Sequence, residues 1–282
     1  MVKKFIFLPL LVLSLLIISY GAHADVLVDD SGSNDVSGGG FMTATVPTGS
    51  GQIGDYQLIA CGVFTDNGNT FSDPTPGTWN ELDNGICNDP NGNCFQGIWG
   101  RFSENPASED ITCSWNNPTS NFVAGSFRYN QVDTVDPIIA VACDSGAGQG
   151  ANVMATAPSV ETVAGSQVAR IYTFRNFNIG ETSGNTNSNT DTTGTFESIS
   201  APGTSESTVQ RGDTELFLVG GPTGTASVDA GEVAQWRACT IALRMEIVER
   251  NVPTMSEWGL VGFAAFAGIA GFWFIRRRQV TA

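Results

Sequence analysis

Ala238-Cys239-Thr240-Ile241-Ala242-Leu243-Arg244-Met245-Glu246-Ile247 is the most regular stretch of this 282-residue chain. Cys239, Ile241, Leu243, Met245 and Ile247 share one parity; Ala238, Thr240, Ala242, Arg244 and Glu246 share the other. A repeat of two sends successive side chains to opposite faces, so the stretch predicts a half-buried strand. Outward from it, residues 56–64, 122–129 and 168–174 are rich in β-branched and aromatic side chains, as strands are. Shorter runs follow at 111–115, 138–143 and 215–219. Gly-, Pro- and Asn-rich turns separate these runs, and no amphipathic helix stands between residues 25 and 250. The pattern predicts an all-β fold, a two-sheet sandwich or jelly roll. Residues 180–210 depart from it: Ser, Thr, Asn and Gly dominate, which predicts a long exposed loop or extended insertion.

The two ends of the chain are of another kind. Lys3 and Lys4 precede an apolar run over residues 5–18, and Ala22-His23-Ala24 is a small-x-small site ahead of Asp25. That order predicts a signal peptide over 1–24, cleaved after Ala24, with an uncleaved signal anchor as the alternative. At the other end, residues 260–275 carry no charge and are followed by Arg276, Arg277 and Arg278. At about 1.5 Å per residue the run is slightly short for a hydrocarbon core of about 30 Å. Trp258 at the outer interface and snorkelling arginines at the inner one make up the difference. The expectation is a single C-terminal transmembrane helix with its basic stop in the cytoplasm.

Between these segments the sequence offers one short motif, Val252-Pro253-Thr254-Met255-Ser256-Glu257-Trp258-Gly259. It resembles the I-P-T-L-x-x-W-G signature of IPTL-CTERM sorting domains, related in layout to the PEP-CTERM/exosortase system of Gram-negative bacteria. Pro253, Thr254, Trp258 and Gly259 match directly; Val252 stands for Ile and Met255 for Leu. The resemblance implies recognition by a sortase-like membrane processing enzyme and delivery to the cell envelope or surface. Pro253 biases Val252 towards an extended conformation that such an enzyme can grip. The expected organisation is therefore 1–24 signal peptide, 25–250 β-sandwich ectodomain, and 251–282 sorting signal, with its motif at 252–259, its span at 260–275 and its stop at 276–278.

A looser resemblance covers residues 40–245. Gly54-Asp55-Tyr56-Gln57-Leu58-Ile59-Ala60, Pro76-Gly77-Thr78-Trp79, Phe127-Arg128-Tyr129-Asn130-Gln131-Val132-Asp133 and the closing residues 236–243 are similar to a jelly-roll module of bacterial and phage surface proteins. That resemblance implies a fold and no ligand.

Composition narrows the function classes. Five of the 13 lysines and arginines lie in the terminal segments (Lys3, Lys4, Arg276, Arg277, Arg278), leaving eight, all arginine. Of the 28 acids only Glu257 lies there, leaving 27 and a formal ectodomain charge of −19. Such a surface repels nucleic acid and anionic lipid. The six cysteines, Cys61, Cys87, Cys94, Cys113, Cys143 and Cys239, predict a disulfide framework in an exported domain. Cys87 and Cys94 bracket a turn-rich hexapeptide and are the pair most readily matched; the other four lie in or beside strands and are expected to staple strands or sheets.

The sole histidine, His23, leaves with the signal peptide. A mature chain without His, and without Lys in its ectodomain, cannot build a Ser-His-Asp or Cys-His site, a His-ligated metal centre or a lysine Schiff base. Glu81 and Asp83 are the remaining carboxylate pair of glycosidase type, against the plainer reading of solvated turn acids. Catalysis is not expected, nor is any cofactor. Asp89, Asn91 and Asn93 open like a calcium loop, but Cys94 stands where that pattern wants Gly, and the alternative is an ordinary turn. The tryptophans are expected as core anchors; the alternative is a glycan-stacking platform, for which Trp79, near Gly77 in a turn context, is the candidate for exposure. The function expected is a non-catalytic, exported surface or matrix protein; the alternatives are a glycan-binding lectin-like module, with extracellular polysaccharide as its partner, and a carboxylate-dependent glycoside hydrolase.

Overall fold

The computed structural model describes residues 34–64, 71–87, 94–149, 153–176, 185–186, 192–200, 207–229 and 233–246, together with Gly262 and Phe266. Its strands in chain order are β1 (Asn34–Pro47), β2 (Tyr56–Phe64), β3 (Phe71–Thr75), β4 (Asn80–Ile86), β5 (Cys94–Phe102), β6 (Asp110–Tyr129), β7 (Ile138–Gln149) and β8 (Met154–Ala157). They continue as β9 (Glu161–Thr162), β10 (Ser166–Asn176), β11 (Asn185–Thr186), β12 (Thr192–Ser200), β13 (Ser207–Phe217), β14 (Gly221–Pro222), β15 (Ala226–Asp229) and β16 (Val233–Leu243). The fold is all-β and sandwich-like. It has more sheets than the two expected.

The first sheet runs β1-β6-β2-β5-β4, with β3 also on β6; the second runs β12-β13-β10-β16-β7. Two small sheets, β11-β15-β8 and β14-β9, accompany them. The runs at 111–115 and 122–129, which read as two strands, are one strand, β6. It is sharply bent. Cys61 lies opposite Ala124, yet the Cα of Cys113 is 6.4 Å from that of Cys61. A straight strand would put residues 113 and 124 about 36 Å apart. The ribbon therefore folds over between them, where β1 opposite is irregular between Ser37 and Thr43 and contributes Gly38-Gly39-Gly40. Glycine tolerates the dihedrals such a corner needs.

The fold-over encloses the first core: Val46, Ile59, Cys61, Val63, Phe71, Phe95, Trp99, Ile111, Cys113, Trp115 and Phe122. Phe71 is its hub, edge-on to Trp99, Trp115 and Phe122 at 5.7, 4.7 and 5.7 Å. A second core joins the other face of this sheet (Tyr56, Leu58, Ile98, Phe127, Tyr129) to Ala169, Ile171, Cys239, Ile241 and Leu243 of the second sheet. Both faces of β2 are thus buried, which is why its sequence is almost continuously apolar.

β16 is not half-buried as its alternation suggests. The parity of Ala238, Thr240 and Ala242 is as buried as that of Cys239, Ile241 and Leu243. The small sheets cover it: Ala155, Ala157 and Val228 pack with Tyr172, Phe174, Trp236 and Ala238, and Thr240 donates to the Pro158 carbonyl at 2.6 Å. Small side chains let that layer approach closely. Residues 180–210 also differ from expectation. Within them β12 pairs with β13 over Thr192–Ser200, because an edge strand draws on backbone hydrogen bonds and β-branched threonines and needs little apolar surface.

All six cysteines are paired, Cys61–Cys113, Cys87–Cys94 and Cys143–Cys239. The first ties the two arms of the folded sheet; the last joins residues directly opposite on β7 and β16. The compact body ends at Glu246, and a separate unit comprises Ile247–Ala282.

Candidate functional site: a loop end clamped by buried arginines

Where β2 begins and β5 and β6 end, two arginines organise the surrounding loops. Arg128, in the middle of the apolar Phe127-Arg128-Tyr129, is buried. Its Nε donates to Asp55 Oδ2 at 3.0 Å, its Nη1 to the Gly49 carbonyl at 2.8 Å, and its Nη2 to the carbonyls of Gln52 and Asn105 at 2.8 and 3.0 Å. The same Nη2 reaches Ser103 Oγ at 3.2 Å. Asp55 Oδ2 also accepts from the Gln52 N–H at 2.6 Å. One guanidinium thus fixes the loops before β2 and after β5. Arginine suits this because it stays charged when buried and spreads its donors over a planar fork.

Arg101, on β5 at the far side of β2, does the same. Its Nε donates to Gln57 Oε1 at 2.9 Å, its Nη1 to the Pro76 carbonyl at 2.9 Å and its Nη2 to Glu109 Oε2 at 2.6 Å. Its guanidinium carbon lies 4.3 Å from the centroid of the Trp79 ring, a cation–π contact. Gly77, at φ 95°, passes so close that a Cβ would strike this guanidinium. Trp79 is therefore not the exposed platform that the glycan alternative requires. It is 5% exposed, with its indole N–H donating to the Pro76 carbonyl at 3.0 Å. Trp99, Trp115 and Trp236 are buried as well.

Glu81 and Asp83 are each engaged by a different side chain. A register irregularity separates them on β4. Glu81 Oε2 accepts from Asn84 Nδ2 at 3.0 Å, while Asp83 is engaged twice by Arg237, Nε–Oδ2 2.7 Å and Nη2–Oδ1 2.5 Å. The hydrogen bonds to Asp83 raise the Arg237 pKa, against the opposing effect of burial. Asp83 also lies with the sulfurs of Cys143 and Cys239 in a group spaced like metal ligands. Those sulfurs are bonded to each other, so they are not thiolates, and the carboxylate is already neutralised by Arg237.

In the second sheet Arg170 Nη1 donates to Glu215 Oε2 at 2.6 Å and Nη2 to the Thr223 carbonyl at 3.3 Å. Both side chains are buried. Burial also raises the phenol pKa of Tyr56, Tyr129 and Tyr172, that of Tyr56 to about 12.

Several expected sites lie outside the described residues: Ala22 and Ala24 of the cleavage site, Asp89, Asn91 and Asn93 of the calcium reading, and the sorting motif Val252, Pro253, Thr254, Met255, Trp258 and Gly259 with its stop Arg276, Arg277 and Arg278. Among the described residues no helix is long and apolar enough to cross a membrane; of the expected span, Gly262 and Phe266 are described, and both are helical.

Residue-by-residue reading missed the arginine clamps. Their signal was present as charged residues inside apolar strands and as the total preference for arginine over lysine. The structure brings together, around Arg101 and Arg128, three of the segments that resemble a jelly-roll module. No protein-family model, curated protein or solved structure matches the chain.

Proposed function

We propose that this chain is an exported, non-catalytic surface or matrix protein: a jelly-roll-like, disulfide-braced body held in or sorted through the cell envelope by its C-terminal segment. The observation that carries the reading is the pairing of all six cysteines, which suits an oxidising compartment, in a chain whose N-terminus reads as a secretory signal. The C-terminal half of the reading rests on the motif, the apolar run at 260–275 and the three arginines after it; the helical state of Gly262 and Phe266 and the exposure of Phe266 accord with a span. A structural role is supported by the way acids are used. Asp55, Asp83, Glu109 and Glu215 are each bound to an arginine and serve to hold strands and loops. The acidic ectodomain disfavours nucleic acid as a partner, and the resemblance of the tail makes a sortase-like enzyme the expected one.

Fractionation of the native host tests this. The chain is expected in the membrane or at the cell surface, beginning at Asp25. Recovery of a chain with intact residues 1–24 from the cytosol overturns the reading.

A further inference from the structure

The large apolar side chains left exposed on the body are unevenly placed. Among its described residues they are Ile53, Ile86, Val135, Met154, Val163, Leu218 and Val219. Strand registers put five of these at one end. Tyr56 at the start of β2 lies opposite Phe102 and Tyr129, the ends of β5 and β6, so the loops carrying Ile53 and Val135 leave the first sheet together. In the second sheet Ser166 lies opposite Phe217 and Gln167 opposite Leu243. The segment carrying Val163 therefore runs beside the one carrying Leu218 and Val219, with Gly220 against the backbone of residues 162–164. These two ends coincide: Val132 bridges Met245, and the Asp133 N–H donates to the Arg244 carbonyl at 2.8 Å. Ile86, beside the Cys87–Cys94 bridge, and Met154, opposite Asp229, point to the other end.

The apolar end is also where β16 leaves the body, at Glu246. Residues 247–259 then lead to the apolar run; fully extended they reach no further than about 45 Å. The five side chains are 70%, 90%, 46%, 58% and 79% exposed for Ile53, Val135, Val163, Leu218 and Val219. Leu218 and Val219 share one tip with Val163 beside them, while Ile53 and Val135 stand on two other loops. Asp133 presents one tip, accepting from the N–H groups of Val135 and Asp136 at 2.8 and 3.1 Å. Separate tips suit a fluid apolar phase better than a shape-complementary protein surface. Resting on the anchored reading above, we infer that this end of the body lies on the lipid bilayer, with Ile53, Val135, Leu218 and Val219 entering the boundary between headgroups and acyl chains. Asp133, Asp136 and Glu161 flank the tips, so the surface favoured is zwitterionic.

The test uses the full mature chain in phosphatidylcholine vesicles with brominated acyl chains, which quench nearby tryptophan. The body's tryptophans are buried, while Trp258 and Trp273 report the anchor. Val135→Trp and Leu218→Trp are each expected to add emission that drops roughly two-fold on bromination, and Ile86→Trp to add emission that does not. Retention of three bridges by mass shows that each variant is folded. If Trp258 and Trp273 are quenched but both added tryptophans are not, the anchor stands and the inference falls. If Trp258 and Trp273 are not quenched either, the anchored reading itself fails. Added tryptophans shielded from both lipid and aqueous quencher, in a chain that cross-links as a dimer, place a second copy on this end and overturn the inference.

Discussion

Arg128 in the first sheet and Arg170 in the second are both buried beside a carboxylate, yet they hold the protein differently. Arg128 gives one donor to Asp55 and the rest mainly to backbone carbonyls of two loops. Arg170 is mostly a side-chain pair across neighbouring strands, and its Nε and Glu215 Oε1 have no hydrogen-bond partner among the described residues. The first clamp is part of the loop architecture. The second is a buried ion pair whose desolvation cost offsets much of its attraction.

That difference predicts unequal responses to mutation. Arg128→Met is expected to cost about 5 kcal/mol in urea unfolding, at the upper end for a broken buried pair. Adding Asp55→Leu should not restore stability, because the carbonyls of Gly49, Gln52 and Asn105 remain without their donor. Full recovery in that double variant would break the comparison.

The disulfides sharpen it next. Cys143–Cys239 and Cys61–Cys113 span 96 and 52 residues, one in each sheet. Loop-closure entropy gives about 4.7 and 4.1 kcal/mol for their removal, and about 2.4 for Cys87–Cys94. Thermal unfolding of Cys→Ala pairs should follow that order; a reversed order would mean that native contacts, rather than the unfolded chain, set the cost. Arg170→Met should cost about 3 kcal/mol, and Arg170→Met/Glu215→Leu should return to within about 1 kcal/mol of the parent.

The smallest effect per unit change is alkaline. Three of the four tyrosines, Tyr56, Tyr129 and Tyr172, are buried with raised pKa values. Phenols of the unfolded chain ionise from about pH 10 while the folded ones stay neutral, so the unfolded state binds fewer protons and stability falls as pH rises. Each tyrosine contributes about 1.4 kcal/mol per pH unit above that point. Phenolate absorbance should appear together with unfolding; phenolate forming in a still-folded protein would show that a tyrosine is open to water.

The strands were legible because their apolar pattern is local: Tyr56–Phe64 is β2 as read. What sequence hid is non-local. The corner in β6 depends on how Cys113 meets Cys61, and the burial of Ala238, Thr240 and Ala242 depends on sheets made by distant residues. Alanine and threonine fit either a wet face or a close-packed one. Trp79, the candidate for exposure because of its turn context, is buried with the other tryptophans because Arg101 from β5 covers the ring. The edge strand β12 escaped because polar threonines carry no apolar alternation.

Intact mass of the protein taken from its native membrane fraction, before and after reduction, tests the account most directly. A chain starting at Asp25 that gains about six daltons, two for each of three bridges, with Cys61–Cys113, Cys87–Cys94 and Cys143–Cys239 found by peptide mapping, is the result predicted. Free thiols in a chain that still carries residues 1–24 would contradict it.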